Sequence, residues 1–290
     1  MKWSRLSLLF LAVIFLIGCQ GRSVVSTYYL WPEWTKDAKV TCLKGIREQK
    51  YSNINSKIAD DYGEYLTYLY SSGTGETVGT NVTSDIASSL IYNPYFNMVG
   101  YASGVGGGEF NRIVVMYFPP TSDARAERIE LAVPHAVDFD WDNTGSRVVW
   151  CNTSGEIHIL TLSGTDTILI DVDAKTVSWK YGTKIVFTYL DGTTTKVAVM
   201  NADASNRNNT GLAEYTSLAI SPLTPHDEVF GVKSGAYQKF NINSFVETVL
   251  VASWSGNYPR PAPAADKVVF EKDESLYTQD FSGAASVKIK

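Results

Sequence analysis

The chain has 290 residues, a net charge of −5 and only three histidines and three cysteines. Its acidity is dispersed, with no long run of like charge, so it repels nucleic acid and offers no polybasic patch to a membrane surface. With 44% apolar and 19% charged residues, it has the composition of a folded chain and not of a disordered one.

Lys2 and Arg5 precede an uninterrupted apolar run over residues 8–17. That run is about half of the roughly 20 residues a spanning helix needs, and the basic start, short apolar stretch and small residues form an export signal. Leu16-Ile17-Gly18-Cys19 resembles the bacterial lipobox, which implies cleavage before Cys19, a diacylated thiol and an acylated new amino group. The expected order is a cleaved leader over residues 1–18, a lipidated tether over 19–27 and a folded domain over 28–290. Two or more acyl chains hold a protein stably at a bilayer, so the membrane partner is reached through Cys19. Gln20 follows where lipoproteins kept at the inner membrane usually carry Asp, which implies the outer membrane, facing the periplasm. Loss of Lys2 and Arg5 leaves 23 of the 25 basic side chains against 30 acidic ones, a mature charge near −7.

From Tyr28 onward the apolar residues fall in short Val, Ile, Tyr, Phe, Trp and Thr runs separated by Gly, Asn, Asp, Ser and Pro, which is strand punctuation. A single helical turn over residues 53–62 is the one exception expected. "KVTCL" (39–43), "NMVGY" (97–101), "RVVWC" (147–151), "KIVFT" (184–188), "EVFGV" (228–232) and "KVVFE" (267–271) share one design, each after an aromatic or Pro-rich turn. Their starts are 58, 50, 37, 44 and 39 residues apart. Units of about 40 to 45 residues with four short strands are the propeller period, because one small sheet cannot bury both faces while a ring of sheets can. The fold expected is therefore all-β, a six-bladed β-propeller of four-stranded antiparallel blades. Trp34, Trp141 and Trp179, at matching places in the repeat, are expected between blades.

"PEWTKDAKV" (32–40), "WDNTGSRVVW" (141–150) and "VAVMNADAS" (197–205) resemble the blade repeat of TolB-type propellers. The resemblance covers roughly residues 28–290 and implies the fold and a cell-envelope setting. TolB proteins carry an α/β domain ahead of the propeller, and nothing in this sequence corresponds to it; they are also soluble in the periplasm, unlike a lipidated chain. The Tol role is not carried over. Residues 25–30 are expected to lend a strand to the last blade, outside "SVKIK" (286–290), and so to close the ring.

Cys42 and Cys151 fall two blades apart, too far for a disulfide, and are expected as buried thiols. Asp138, Asp140 and Asp142 alternate in "DFDWD" and point to one face if the segment is extended. Three carboxylates on one face call for a cation, and calcium suits oxygen ligands; the competing expectation is bonding to turn amides and Arg147. "NADASNRNN" (201–209) lacks the Gly and Glu of a calcium loop and reads as a hairpin. His135, His158 and His226 show no metal-binding spacing and are expected at the surface or at blade edges. There is no nucleophile elbow, and "SGVGGGEF" (103–110) lacks the Lys-Ser/Thr of a phosphate loop. Residues 44–63 read as an inserted loop in the first hairpin, and Arg47, Lys50, Tyr51 and Asn53 within it are the candidate binding residues.

Together these features suggest a lipid-anchored propeller that binds an unidentified protein of the bacterial envelope without catalysis or an obligatory cofactor. The alternatives are a propeller enzyme acting on a carbohydrate or lactone with calcium in its channel, and a glycan-binding module.

Overall fold

The computed structural model describes residues 22–35, 38–51, 57–70, 77–81, 87–93, 98–104, 109–117, 128–142, 144–179, 184–221 and 227–290. Residues 1–18, where a leader is expected, and Cys19, Gln20, Asn53 and His226 lie outside the described residues. Among the described residues none is helical, and the strands pair antiparallel throughout.

Four consecutive strands form the first sheet: β1 (Arg22–Trp34), β2 (Lys39–Tyr51), β3 (Lys57–Tyr70) and β4 (Thr77–Asn81). A seven-stranded sheet follows, of β5 (Ala87–Asn93), β6 (Met98–Ser103), β7 (Phe110–Tyr117), β8 (Ile129–Trp141), β9 (Arg147–Asn152), β10 (Glu156–Thr161) and β11 (Asp166–Asp171). The third sheet holds β12 (Ala174–Trp179), β13 (Lys184–Asp191), β14 (Thr194–Asn201) and β15 (Asn208–Ala213). The fourth holds β16 (Tyr215–Ala219), β17 (Glu228–Lys233), β18 (Ala236–Asn241) and β19 (Glu247–Val251). The fifth holds β20 (Asn257–Pro261), β21 (Lys267–Lys272), β22 (Ser275–Asp280) and β23 (Val287–Lys288).

The seven-stranded sheet turns a corner inside β8. Ile129 to Ala132 pair with Val115 to Arg112 of β7, whereas Ala136 to Trp141 pair with Asn152 to Val148 of β9. Between these halves, Pro134 removes a ladder donor and His135 takes φ +56°, so the strand bends as at a bulge. The amide of His135 donates instead to Asn111 Oδ1, and its carbonyl accepts from Thr153 N. One strand thus ends a β5–β8 array and begins a β8–β11 array.

Period-2 alternation buries both faces of each sheet. In β2, Val40 and Cys42 join Ala262, Val269 and Leu276 of the last sheet, while Leu43 joins Leu90, Val99 and Val114 of the next. Val148 and Trp150 face Ala102 and Phe110, whereas Val149 and Cys151 face Val177 and Phe187. Val229 and Phe230, then Val268 and Val269, repeat the division. Because Val269 shares a cluster with Cys42 and Trp34, the succession of packed sheets returns to its start. Cys42 and Cys151 are buried in separate sheets and are not joined by a disulfide, as expected; burial pushes the Cys151 thiol well above its usual pKa.

Several expectations are corrected. Residues 25–30 pair with β2 in the first sheet and not with the last; β23 is the outer strand of the last sheet, and the link across the seam is packing joined by polar contacts, among them a bond from Tyr29 N to Glu274 O (2.9 Å). Residues 22–27, read as tether, belong to β1. The described residues of the insertion at 44–63 form a strand ribbon and not a loop: Lys44 to Tyr51 continue β2, paired on one side with β1 and on the other with β3, and residues 57–62, inside the span where a helical turn was expected, belong to β3. Gly45 makes room in this ribbon for Tyr28, its cross-strand partner, since a Cβ there would come within 1.9 Å of the ring.

Candidate functional site

The inner strands β1, β5, β12, β16 and β20 leave one edge each without a ladder partner, and β8, paired with β7 before its bend and with β9 after it, leaves one edge of its second half open beyond Ala136. Edge amides must find other acceptors when water is excluded. Asp138 and Asp140, two residues apart on β8, supply them to β12: Val177 N donates to Asp138 Oδ2 (2.9 Å) and Trp179 N to Asp140 Oδ2 (3.0 Å). Trp141 N donates to Asp140 Oδ1 (2.8 Å). Asp142 lies beyond the end of β8 and does not join them. Its carboxylate accepts from Ser146 N, Arg147 N, Arg147 Nε and the Thr144 hydroxyl, which ties the turn before β9. Among the described residues no group of three or more His, Cys, Asp or Glu is placed to hold a metal ion.

The tryptophans expected between blades are there, each at the end of an inner strand and nearly or fully buried. Trp34 Nε1 donates to Arg260 O (3.1 Å) and Trp141 Nε1 to Ile91 O (3.2 Å), each reaching the inner strand of the neighbouring array. Trp179 has a buried Nε1 with no partner among the described residues and carries the Arg147 guanidinium over its ring. Gly100 is required beneath Trp141, because a Cβ would approach the indole to 2.9 Å.

Two residues not singled out in the sequence complete the channel charge set. Glu33 of β1, 6% exposed, receives Arg260 Nε from β20 at 3.0 Å, and Trp34 N at 3.1 Å. Burial pushes the Glu33 carboxyl up to about 7, against the attraction of Arg260, and the Asp140 charge pushes the same way. Burial likewise raises Asp138 to about 7 and Asp140 to about 6, opposed by the amides they accept from and by Arg260. Three carboxylates from two inner strands thus surround one guanidinium. A cavity of about 410 Å³ opens beside them, walled by residues of five inner strands, with Asp138, Lys175, Thr176, Ser217, Asn257 and Arg260 in its lining.

The other candidates are dispersed. Arg47, Lys50 and Tyr51 lie on β2 in the ribbon, away from the channel charge set in sequence, with Lys50 Nζ 3.8 Å from Glu48. His135 is exposed and meets Glu109 at 3.1 Å. His158 is buried, contrary to expectation: it stacks on Trp150 and its Nδ1 lies 2.9 Å from Asp166, whose other oxygen accepts from Trp150 Nε1. Residues 201–209 make the expected hairpin turn, with Asn201 N donating to Ser205 O.

No protein-family model matches the chain, and no curated protein matches it by sequence. Solved structures do match in fold. TolB from Acinetobacter baumannii superposes with a TM-score of 0.61 at 10% identity, covering 90% of this chain and 78% of that one. Nidogen in its complex with laminin gives a TM-score of 0.58 at 10% identity, covering 89% and 90%. The Hsv2 variant with loop 6CD replaced by a Gly-Ser linker gives 0.54 at 13% identity, covering 91% and 100%. At such identities the likeness concerns fold alone: the chain is a β-propeller, similar to these.

Proposed function

We propose that the chain is a lipid-anchored, six-bladed propeller that binds a protein of the bacterial envelope without catalysing a reaction. The six-blade count follows from dividing the seven-stranded sheet at the β8 bend, which gives six four-stranded arrays with β8 shared. The anchor is Cys19, and the destination is the outer membrane facing the periplasm.

The observation that carries the binding role is the ribbon. β1, β2 and β3 run 13, 13 and 14 residues, against 5 to 8 for most other strands. The part before Tyr29 projects by about 23 Å at ~3.3 Å per residue. Such a ledge begins three residues after the acylated cysteine, so it is held at the membrane together with its partner, raising their local concentration. Arg47, Lys50, Tyr51 and Asn53 are the residues proposed to make its contacts. Support by analogy comes from the nidogen structure, which is a complex with laminin. Purifying the full-length protein and its Arg47→Glu/Lys50→Glu variant from crosslinked cells tests this role. A partner retained by the wild type and lost from the variant is expected; equal recovery would remove the ribbon from the interface.

The second reading, a calcium-dependent enzyme on a carbohydrate or lactone, starts from the paired carboxylates Asp138 and Asp140, although no group of three or more ligands stands among the described residues. Calcium titration followed by calorimetry decides it, since that reading requires saturable binding lost on Asp138→Asn.

A further inference from the structure

We propose that the open edge of β1, from Ser23 to Thr27, receives an extended, uncharged segment of the partner as an added strand. This mode of docking rests on the protein-binding reading above and states how the contact is made.

In an antiparallel pair the backbone groups of alternate residues point at the neighbouring strand, and those between them point away. Tyr29 settles which are which: its amide donates to Glu274 O of the last sheet (2.9 Å) and so points away from β2. From Arg22 to Leu30 the register with β2 runs without a bulge. Ser23, Val25 and Thr27 therefore turn their N–H and C=O groups the same way as Tyr29, while Val24 and Ser26 turn theirs to β2. At Tyr29 the edge meets the last sheet. From Ser23 to Thr27 every residue is exposed, and the outward backbone groups have no partner among the described residues.

An open edge is a template for another strand, and folded chains blunt theirs with short strands, bulges, prolines or charges. The outermost strands β4, β11, β15, β19 and β23 are blunted by length, at 5, 6, 6, 5 and 2 residues. β1 has 13, and no charged residue, proline or bulge interrupts it from Ser23 to Leu30. Val24 and Val25, 43% and 61% exposed, stand on opposite faces beside this edge. Behind it, β2 pairs with β3 along the same stretch, so the edge is preformed and a guest alone has to be ordered.

The edge also says what covers it. A row of alternating N–H and C=O groups is matched by an extended backbone, whose main-chain bonds supply affinity while its side chains supply specificity. Side chains laid against Ser23, Val24, Val25, Ser26 and Thr27 gain from β-branched or aromatic character, and charge finds nothing on this stretch to pair with. Glu274 O already takes the next outward amide in line, so the guest extends an interface that the edge makes at Tyr29. A second copy paired over the same residues, Ser23 opposite Thr27, would run its preceding residues past Tyr29 toward the ring, away from the bilayer that Cys19 is proposed to reach. The occupant is therefore a strand of the envelope partner.

The test uses the full-length, C-terminally tagged protein, crosslinked in intact cells beside a differently tagged wild-type copy, with bound proteins identified by mass spectrometry. Val25→Pro removes an outward donor and leaves the bonds of Val24 and Ser26 to β2; Val25→Ala keeps the donor and shortens the side chain. The envelope protein recovered with the wild type should be retained by Val25→Ala and reduced about tenfold by Val25→Pro, at matching melting temperatures. In the purified wild-type complex, hydrogen exchange resolved to single amides should slow by about tenfold or more at Ser23, Val25 and Thr27, with little change at Val24 and Ser26. If Val25→Pro disturbs the ribbon, this exchange pattern decides alone. Equal recovery with a folded Val25→Pro, or no slowing at the three outward amides, would overturn strand addition and leave protein binding in place. Recovery of the second copy instead, lost on Val25→Pro, would overturn the partner as occupant and assign the edge to self-association. Recovery of neither would overturn both this inference and the protein-binding reading.

Discussion

Replacing Glu33 by Gln should change how stability depends on pH more than stability at any one pH. Glu33 is 6% exposed and its carboxyl is raised from 4.5 to about 7, chiefly by burial. Between those values the folded chain retains a proton that the unfolded chain has lost, so stability falls as pH rises. The contribution is fully present below about 4.5 and is lost once pH passes about 7. At ~1.4 kcal/mol per pKa unit the window is worth about 3 kcal/mol. Gln does not titrate, keeps an oxygen for Arg260 Nε and has nearly the same shape. The difference in unfolding free energy between variant and wild type should therefore shift by about 3 kcal/mol in the variant's favour from pH 4.5 to pH 8. Urea unfolding followed by tryptophan fluorescence at pH 4.5, 5.5, 6.5 and 8 measures it. Parallel pH profiles for the two proteins would refute the argument that burial dominates at Glu33.

Asp140→Ala leaves Trp179 N and Trp141 N without their acceptor and should cost about 1–3 kcal/mol, with Asp140→Asn costing less, by the same unfolding assay. Trp34→Phe and Trp141→Phe lose an indole hydrogen bond that Trp179→Phe does not, so each should be more destabilising than Trp179→Phe by about 1 kcal/mol. A thiol reagent should leave Cys42 and Cys151 unmodified in the native protein and titrate both, without prior reduction, once urea unfolds it.

The ring was legible because its interfaces are written locally: a tryptophan closing an inner strand, a turn, then a strand whose alternate residues are all apolar. Trp34, Trp141 and Trp179 carry that signal within a few residues. The β8 bend was not legible, since Pro134 inside the run reads as the end of one strand when it marks a corner within one. The ribbon escaped because its pattern differs from a buried strand: Lys44, Arg47, Glu48, Gln49 and Lys50 belong to a segment solvated at its edges, and such polarity mimics a loop. The channel site was half legible. Asp138 and Asp140 stand out as alternating carboxylates on one strand, but Glu33 and Arg260 are 227 positions apart in the chain, and only ring closure brings them to 3.0 Å. Asp142 obeyed the alternation of the sequence but not its geometry, because the strand ends at Trp141.

Crosslinking in intact cells tests the proposed lipid-held propeller and its engagement with an envelope protein. The C-terminally tagged wild type and Cys19→Ala would be purified side by side and their crosslinked partners identified by mass spectrometry. A specific envelope protein recovered with the wild type and depleted with Cys19→Ala is the predicted result. Recovery of nothing specific, under conditions that capture a known membrane complex, would contradict it.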